Sequence, residues 1–250
     1  MIYIAKKAAD LQALTRRYPS RGIENTCLAI LAGSRMDYAY DSVAELDFEL
    51  ALRRAIVERA ERLRRSGLDF QTFRHAYCNN LYWIRRADGG FELRRGVSAA
   101  TAVRDIYSNG RAYGTECATA MQIVYYGAML DTVRETSFDR AFARMRLMNW
   151  HDISSPLRET GQMQRAADYL PGDRRYFANP DVDLRAPEWQ GENVIDLGDG
   201  TYYGHGVGRR RGSEIIAELN QNRRRGAARA AYLMNSAGRP NFKRLYESFR

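Results

Sequence analysis

Tyr113-Gly-Thr-Glu-Cys-Ala-Thr-Ala-Met-Gln-Ile-Val-Tyr-Tyr-Gly-Ala-Met-Leu-Asp-Thr132 is the stretch on which the reading of this 250-residue chain turns. From Cys117 to about residue 133 it is apolar on nearly every side, which predicts a helix buried centrally with no solvent face. A Thr cap is expected at its start, and Cys117 is its first residue. Unpaired amides and the helix dipole favour a thiolate at such a position. A small hydrophobe at the head of a core helix is the competing reading, and position alone leaves the two even.

Upstream, Ser42 followed by Glu45 forms a capping box, and Leu52, Ala55, Ile56, Ala60 and Leu63 recur at helical spacing. The pattern predicts an amphipathic helix of about 24 residues ending near Gly67. Residues 81–86 and 91–95 flank Ala87-Asp88-Gly89-Gly90 and read as a hairpin, after which Ser98 caps a short helix to about Tyr107. Downstream, a helix is expected over 137–147, an irregular stretch over 150–187, and strands over 193–197 and 201–205 around Gly198-Asp199-Gly200. Further helices are expected from Ser213 and over 227–234. Helices, a hairpin, a buried central helix and later strands make an α+β class, and the length suits one compact domain over 1–250.

Composition narrows the function. The start carries Lys6 and Lys7 with no following apolar run or cleavage site, so a secretory signal is not expected. The longest apolar stretch, 118–130, is too short to span a bilayer. Cytosolic synthesis as a soluble protein is the expectation. Three cysteines, Cys27, Cys78 and Cys117, form no CxxC pair, which argues against a disulfide framework or a structural zinc site. The net charge of +9 permits nucleic-acid binding, but the arginines follow glutamates at helical spacing, as Arg62 follows Glu58, which is how a solvated face looks. No specific nucleic acid, cofactor or metal is expected. Only Lys6, Lys7 and Lys243 are lysines, a bias that a GC-rich genome explains.

Of the three histidines, His205 stands at a strand end in Gly204-His-Gly-Val-Gly208, where small neighbours leave the ring accessible. A partner is needed to distinguish it from an ordinary histidine. Glu192 is the candidate. A turn on Gly198-Asp199 places Glu192 opposite His205; a turn on Asp199-Gly200 pairs 194 with 205 and leaves Glu192 diagonal. A thiol at a helix start facing a later histidine and carboxylate is the layout of papain-like acyl transfer. Glu116, beside the thiol, is a second carboxylate, with a first-turn acid complementing the helix dipole as its plainer reading.

The segment 113–132 resembles the nucleophile segment of the protein-glutamine gamma-glutamyltransferases of Bacillus spore coats. Trp189-Gln-Gly-Glu-Asn-Val-Ile-Asp-Leu-Gly198 with Tyr203-Gly-His-Gly-Val-Gly208 is similar to the second active-site segment of that family. The resemblance covers about 37–250, with residues 1–36 divergent. It implies a calcium-independent papain-like or NlpC/P60-like fold and needs no cofactor. Cys117 would be the nucleophile, Glu192 the acid/base partner with Glu116 as a possible substitute, and His205 the family's histidine. Phe70, Trp150 and Trp189 would line a tunnel. The substrates would be proteins, a glutamine donor and a lysine acceptor joined by an isopeptide bond, with spore-coat proteins as partners and the coat as location. The alternatives are an NlpC/P60 peptidase or amidase cutting cell-wall peptides, and a non-catalytic coat component. The first is disfavoured by the absence of an export signal.

Overall fold

The computed structural model describes residues 1–150 and 152–250, so His151 lies outside the described residues. The chain opens with β1 (Ile2–Ile4), which turns through Ala5 and Lys6 at positive φ into β2 (Lys7–Ala8). Helices α1 (Leu11–Thr15) and α2 (Ile23–Gly33) follow, and β3 (Tyr38–Tyr40) joins β1 in parallel. Cys27, Leu28 and Leu31 of α2 pack with Leu46 and Leu50 into a small core of their own.

The long helix appears as read. In α3 (Val43–Arg65) the Ser42 hydroxyl accepts from the Glu45 amide at 3.2 Å. The Glu45 carboxylate reaches back to the amide of Asp41, at 2.7 Å, instead of to Ser42. After β4 (Asp69–Phe70), the hairpin forms from β5 (Trp83–Arg85) and β6 (Phe91–Leu93), and Ser98 caps α4 (Ala99–Ser108). Strand β7 (Gly114–Thr115) pairs in parallel with β4 and leads directly into α5 (Cys117–Thr132).

Every residue of α5 from Ala118 to Leu130 is buried, as its all-round apolar pattern requires. Ile123, Val124 and Met129 meet Leu52, Ile56 and Leu63 of α3 in the main core. Each such side chain contributes about 1.5–3 kcal/mol when fully buried. The start of α5 is therefore fixed by the bulk of the core.

The next segment departs from the expectation. Instead of one helix over 137–147, α6 (Glu135–Ala141) is short and the chain continues into β8 (Arg146–Leu147), third strand of the hairpin sheet. Met145 and Leu147 are buried while Arg146 is only partly so, a period of two that helical propensity does not reveal.

The stretch expected to be irregular contains β9 (Arg174–Ala178), which pairs with β10 (Gly191–Asp196). Then come β11 (Thr201–Gly204), β12 (Gly208–Arg211), α7 (Gly212–Gln221), β13 (Tyr232–Leu233) and α8 (Phe242–Phe249). The antiparallel sheet runs β12-β11-β10-β9-β13. Ile195 and Tyr203 face the main core, whereas Val194 and Phe177 face Ile215 and Leu219 of α7, so the sheet is covered on both sides. Arg174 and Arg175 made β9 look like loop, yet both are buried; Arg175 donates to the carbonyls of Ser236 and Met234.

The helix expected over 227–234 does not form. Asp181 accepts from the amides of Ala228 and Arg229 at 2.9 Å and from the Arg229 guanidinium, which holds the chain extended into β13. Tertiary hydrogen bonds override an alanine-rich propensity there. Among the described residues no helix is long and apolar enough to cross a membrane.

A buried ion network anchors β9 to α3. Arg53 donates to Asp173 and Glu49 at 2.9 and 2.8 Å, and Arg239 meets the other Asp173 oxygen. Asp173→Ala would leave two guanidiniums without their shared carboxylate, and a loss of about 3–5 kcal/mol is expected in urea unfolding. A loss below about 1 kcal/mol would show that the network does not anchor the sheet.

Candidate active site

Cys117 opens α5, half-buried at the floor of a cleft of about 660 Å³. Phe70, Trp150, Arg174, Tyr176 and Asn193 are among the cleft walls. The helix is not Thr-capped. Glu116 is its N-cap, and its carboxylate accepts from the amides of Ala118 at 2.5 Å and Thr119 at 2.7 Å.

This corrects the expectation of a dipole-stabilised thiolate. Glu116 occupies two amides of the first turn with its own negative charge. Among the described residues, the Cys117 amide itself has no partner. Burial, then the charges of Glu192 and Glu116, push the Cys117 thiol well above its ordinary range. The Asn193 side chain acts the other way, donating from Nδ2 to Sγ at 3.5 Å.

Glu192 lies in β10 beside Asn193 and is 6% exposed. Burial, reinforced by the charge of Glu116, raises its carboxyl well above the glutamate range, and Oε1 has no hydrogen-bond partner among the described residues. Gly204 makes room for it: a Cβ there would stand 2.6 Å from Oε1.

The hairpin register is neither of the two considered. Leu197 closes on Thr201 around a three-residue loop, Gly198 and Gly200 taking positive φ, and Val194 pairs with Gly204. Both alternatives assumed a two-residue turn and were one residue off, which is enough to exchange the faces of a strand. Extending the observed pairing sets Asn193, not Glu192, across from His205.

His205 is correspondingly engaged elsewhere. Its Nε2 lies 3.0 Å from the carbonyl oxygen of Asp69, which can only accept, so Nε2 carries the proton. Nδ1 is then free to accept from the Tyr203 hydroxyl at 3.4 Å. Burial lowers the pKa of the ring, which is neutral. Phe70 leans on the imidazole with ring centroids 5.8 Å apart. Both nitrogens are thus used, and neither bonds to Cys117 or Glu192.

Of the three expected wall aromatics, Phe70 and Trp150 line the cleft. Trp189 packs instead toward the cluster containing Phe177 and Val194. Tyr176, across β10 from Asn193, supplies an aromatic wall the sequence reading missed. Asn193 and Arg174 were missed as well. Asn193 stands next to Glu192 in the segment already singled out, whereas Tyr176 and Arg174 sit in the strand that was read as loop.

The raised thiol makes a direct prediction. Alkylation of Cys117 by iodoacetamide, followed by peptide mass spectrometry, should accelerate with pH and still be climbing above pH 9, the ordinary cysteine value. A rate already level at neutral pH would mean a resting thiolate.

The model of the protein-glutamine gamma-glutamyltransferase family matches residues 1–249, which takes in the N-terminal segment. A protein-glutamine gamma-glutamyltransferase of Bacillus cereus (strain B4264) is 41% identical over 239 residues, covering 96% of this chain and 86% of its own. One from Bacillus mycoides (strain KBAB4) is 41% identical over 233 residues, covering 93% and 83%. The solved transglutaminase from Geobacillus stearothermophilus, without its C-terminal extension, superposes with a TM-score of 0.78 at 40% identity, covering 84% of this chain and 99% of that one. With a thiol and two carboxylates gathered at the head of a buried helix in this fold, the chain belongs to the protein-glutamine gamma-glutamyltransferases, a family of transglutaminase acyltransferases.

Proposed function

We propose that Cys117 is the nucleophile and Glu192 its acid/base partner in a calcium-independent transfer from a protein glutamine to a lysine amine. The observation that carries this reading is Glu192 itself: a buried carboxyl with a partnerless oxygen and a raised pKa, whose charge is felt at the thiol. A base is most effective when its pKa approaches the working pH, and burial moves a glutamate in that direction.

The steps balance with one proton. Ionised Glu192 takes the Sγ proton as sulfur attacks the carboxamide carbon, and the free Cys117 amide donates to the developing oxyanion. Collapse breaks the C–N bond, the same proton leaves with the nitrogen as ammonia, and a thioester remains. A lysine amine then gives a proton to Glu192 and attacks the thioester. The isopeptide bond forms, and the proton returns to sulfur. Water in place of the amine yields glutamate. Phe70, Trp150 and Tyr176 form an apolar wall that favours amine over water by limiting solvent.

Glu116 acts chiefly as the cap that fixes the thiol, and its charge helps keep Glu192 basic. His205 holds β4 and Phe70 in place. Trp189 supports the outer face of β10. Proteins are the substrates, and spore-coat proteins are the setting this reading favours, since the relatives come from Bacillus.

A fluorescent primary amine, a glutamine-containing protein and EDTA test the reading. Labelling should occur in native protein, vanish in Cys117→Ala, and fall about 10²–10⁴-fold in Glu192→Gln. His205→Gln should stay within about tenfold of native, as expected of a residue outside the proton path. Because the Glu192 pKa is raised, the base form accumulates only as pH climbs past it. The acid limb of kcat/KM should therefore lie well above 4.5, the ordinary glutamate value. Full loss in His205→Gln with retention in Glu192→Gln would reverse the assignment.

A further inference from the structure

Arg174, first residue of β9, is 3% exposed and has no carboxylate within ion-pair distance among the described residues. Of the three other buried guanidiniums, Arg53 is neutralised by Glu49 and Asp173 and Arg59 by Asp131, while Arg175, on the far side of the ladder from the thiol, is held by the Ser236 and Met234 carbonyls. Among the described residues the partners of Arg174 are neutral. Its Nε donates to the Thr160 carbonyl and its Nη1 to Asn193 Oδ1, each at 2.8 Å, and it stacks 4.0 Å above the Trp150 ring. Nη2 is buried with no partner among the described residues. An uncompensated buried cation is costly, so its place beside a reactive thiol calls for a reason.

Asn193 supplies the reason. A guanidinium can only donate, so the Asn193 oxygen must face Arg174, which turns Nδ2 toward Cys117 Sγ. Freed from Arg174, the amide could rotate and present its oxygen to the sulfur, opposing a thiolate. The two nearby charges at the sulfur, Glu192 and Glu116, already oppose one.

We propose that Arg174 is a positioning residue for acyl transfer: it locks the Asn193 amide with its N–H toward Cys117, where that N–H supports the sulfur as it becomes a thiolate. The idea rests on Cys117 being the nucleophile, which Cys117→Ala tests by itself. Burial lowers the Arg174 pKa to about 10, with Tyr125 and Cys117 opposing, so the guanidinium remains charged through the neutral range.

The test compares native protein, Arg174→Met, Arg174→Lys, Asn193→Ala and the double variant Arg174→Met/Asn193→Ala. Two rates are read: iodoacetamide alkylation at the Cys117 peptide at a fixed mildly alkaline pH, and kcat for amine incorporation. Losing a charge-assisted hydrogen bond should slow both by about tenfold or more in Arg174→Met, with KM little changed. Arg174→Lys should fall between, and the double variant should be no slower than Asn193→Ala, because both changes cut one relay. A purely structural Arg174 gives the opposite sign, since loosening the Thr160 segment exposes Cys117 and speeds alkylation. Faster alkylation, or losses that multiply in the double variant, would overturn the proposal. If Arg174→Met does not fold, Asn193→Ala alone decides: alkylation as fast as native would overturn it too.

Discussion

The carboxylate of Glu116 on the first amides of α5 is the interaction on which the site depends. A helix buried along its whole length must begin inside the protein, where open amides are costly unless partnered. Glu116 partners two of them and thereby brings a negative charge next to Cys117. The same burial acts on Glu192 across the helix–sheet boundary. Burial raises the pKa of all three groups, and the charge of Glu116 adds to the rise at Glu192 and at Cys117.

This arrangement departs from the papain-like layout in which a histidine faces the thiol. His205 is present, at the end of the expected strand, but the three-residue loop at Gly198-Asp199-Gly200 and the carbonyl of Asp69 direct its ring to β4. There it lies beside Phe70 of the cleft wall. Arginine is similarly divided. Some arginines form exposed helix-face pairs, such as Arg54 with Glu58 and Arg65 with Glu61, while Arg53 and Arg174 are buried and hold elements together.

Much of this was legible in the sequence, for identifiable reasons. The α5 pattern, the Ser42 and Ser98 caps and the 81–95 hairpin are local signals, and all three appear in the fold. Cys117, Glu192 and Glu116 come together as their motifs suggested. What could not be read depends on partners distant in sequence. Strand β9 looks like loop because its arginines are stabilised by carbonyls some sixty residues away and by Asn193. Residues 227–234 look helical until Asp181 claims their amides. The hairpin register turned on a loop of three residues instead of two, a choice that three consecutive turn-forming residues leave open. Asn193 was hidden because an amide carries no charge to draw attention to it.

Catalysis by this site depends on the protonation of Glu192, and infrared difference spectroscopy between native protein and Glu192→Gln across a pH titration reads it directly. A protonated-carboxyl band, lost in the variant, should persist well above 4.5, where a solvated glutamate ionises. Ionisation at the ordinary glutamate value would contradict this, because Glu192 would then be too weak a base for the role assigned to it.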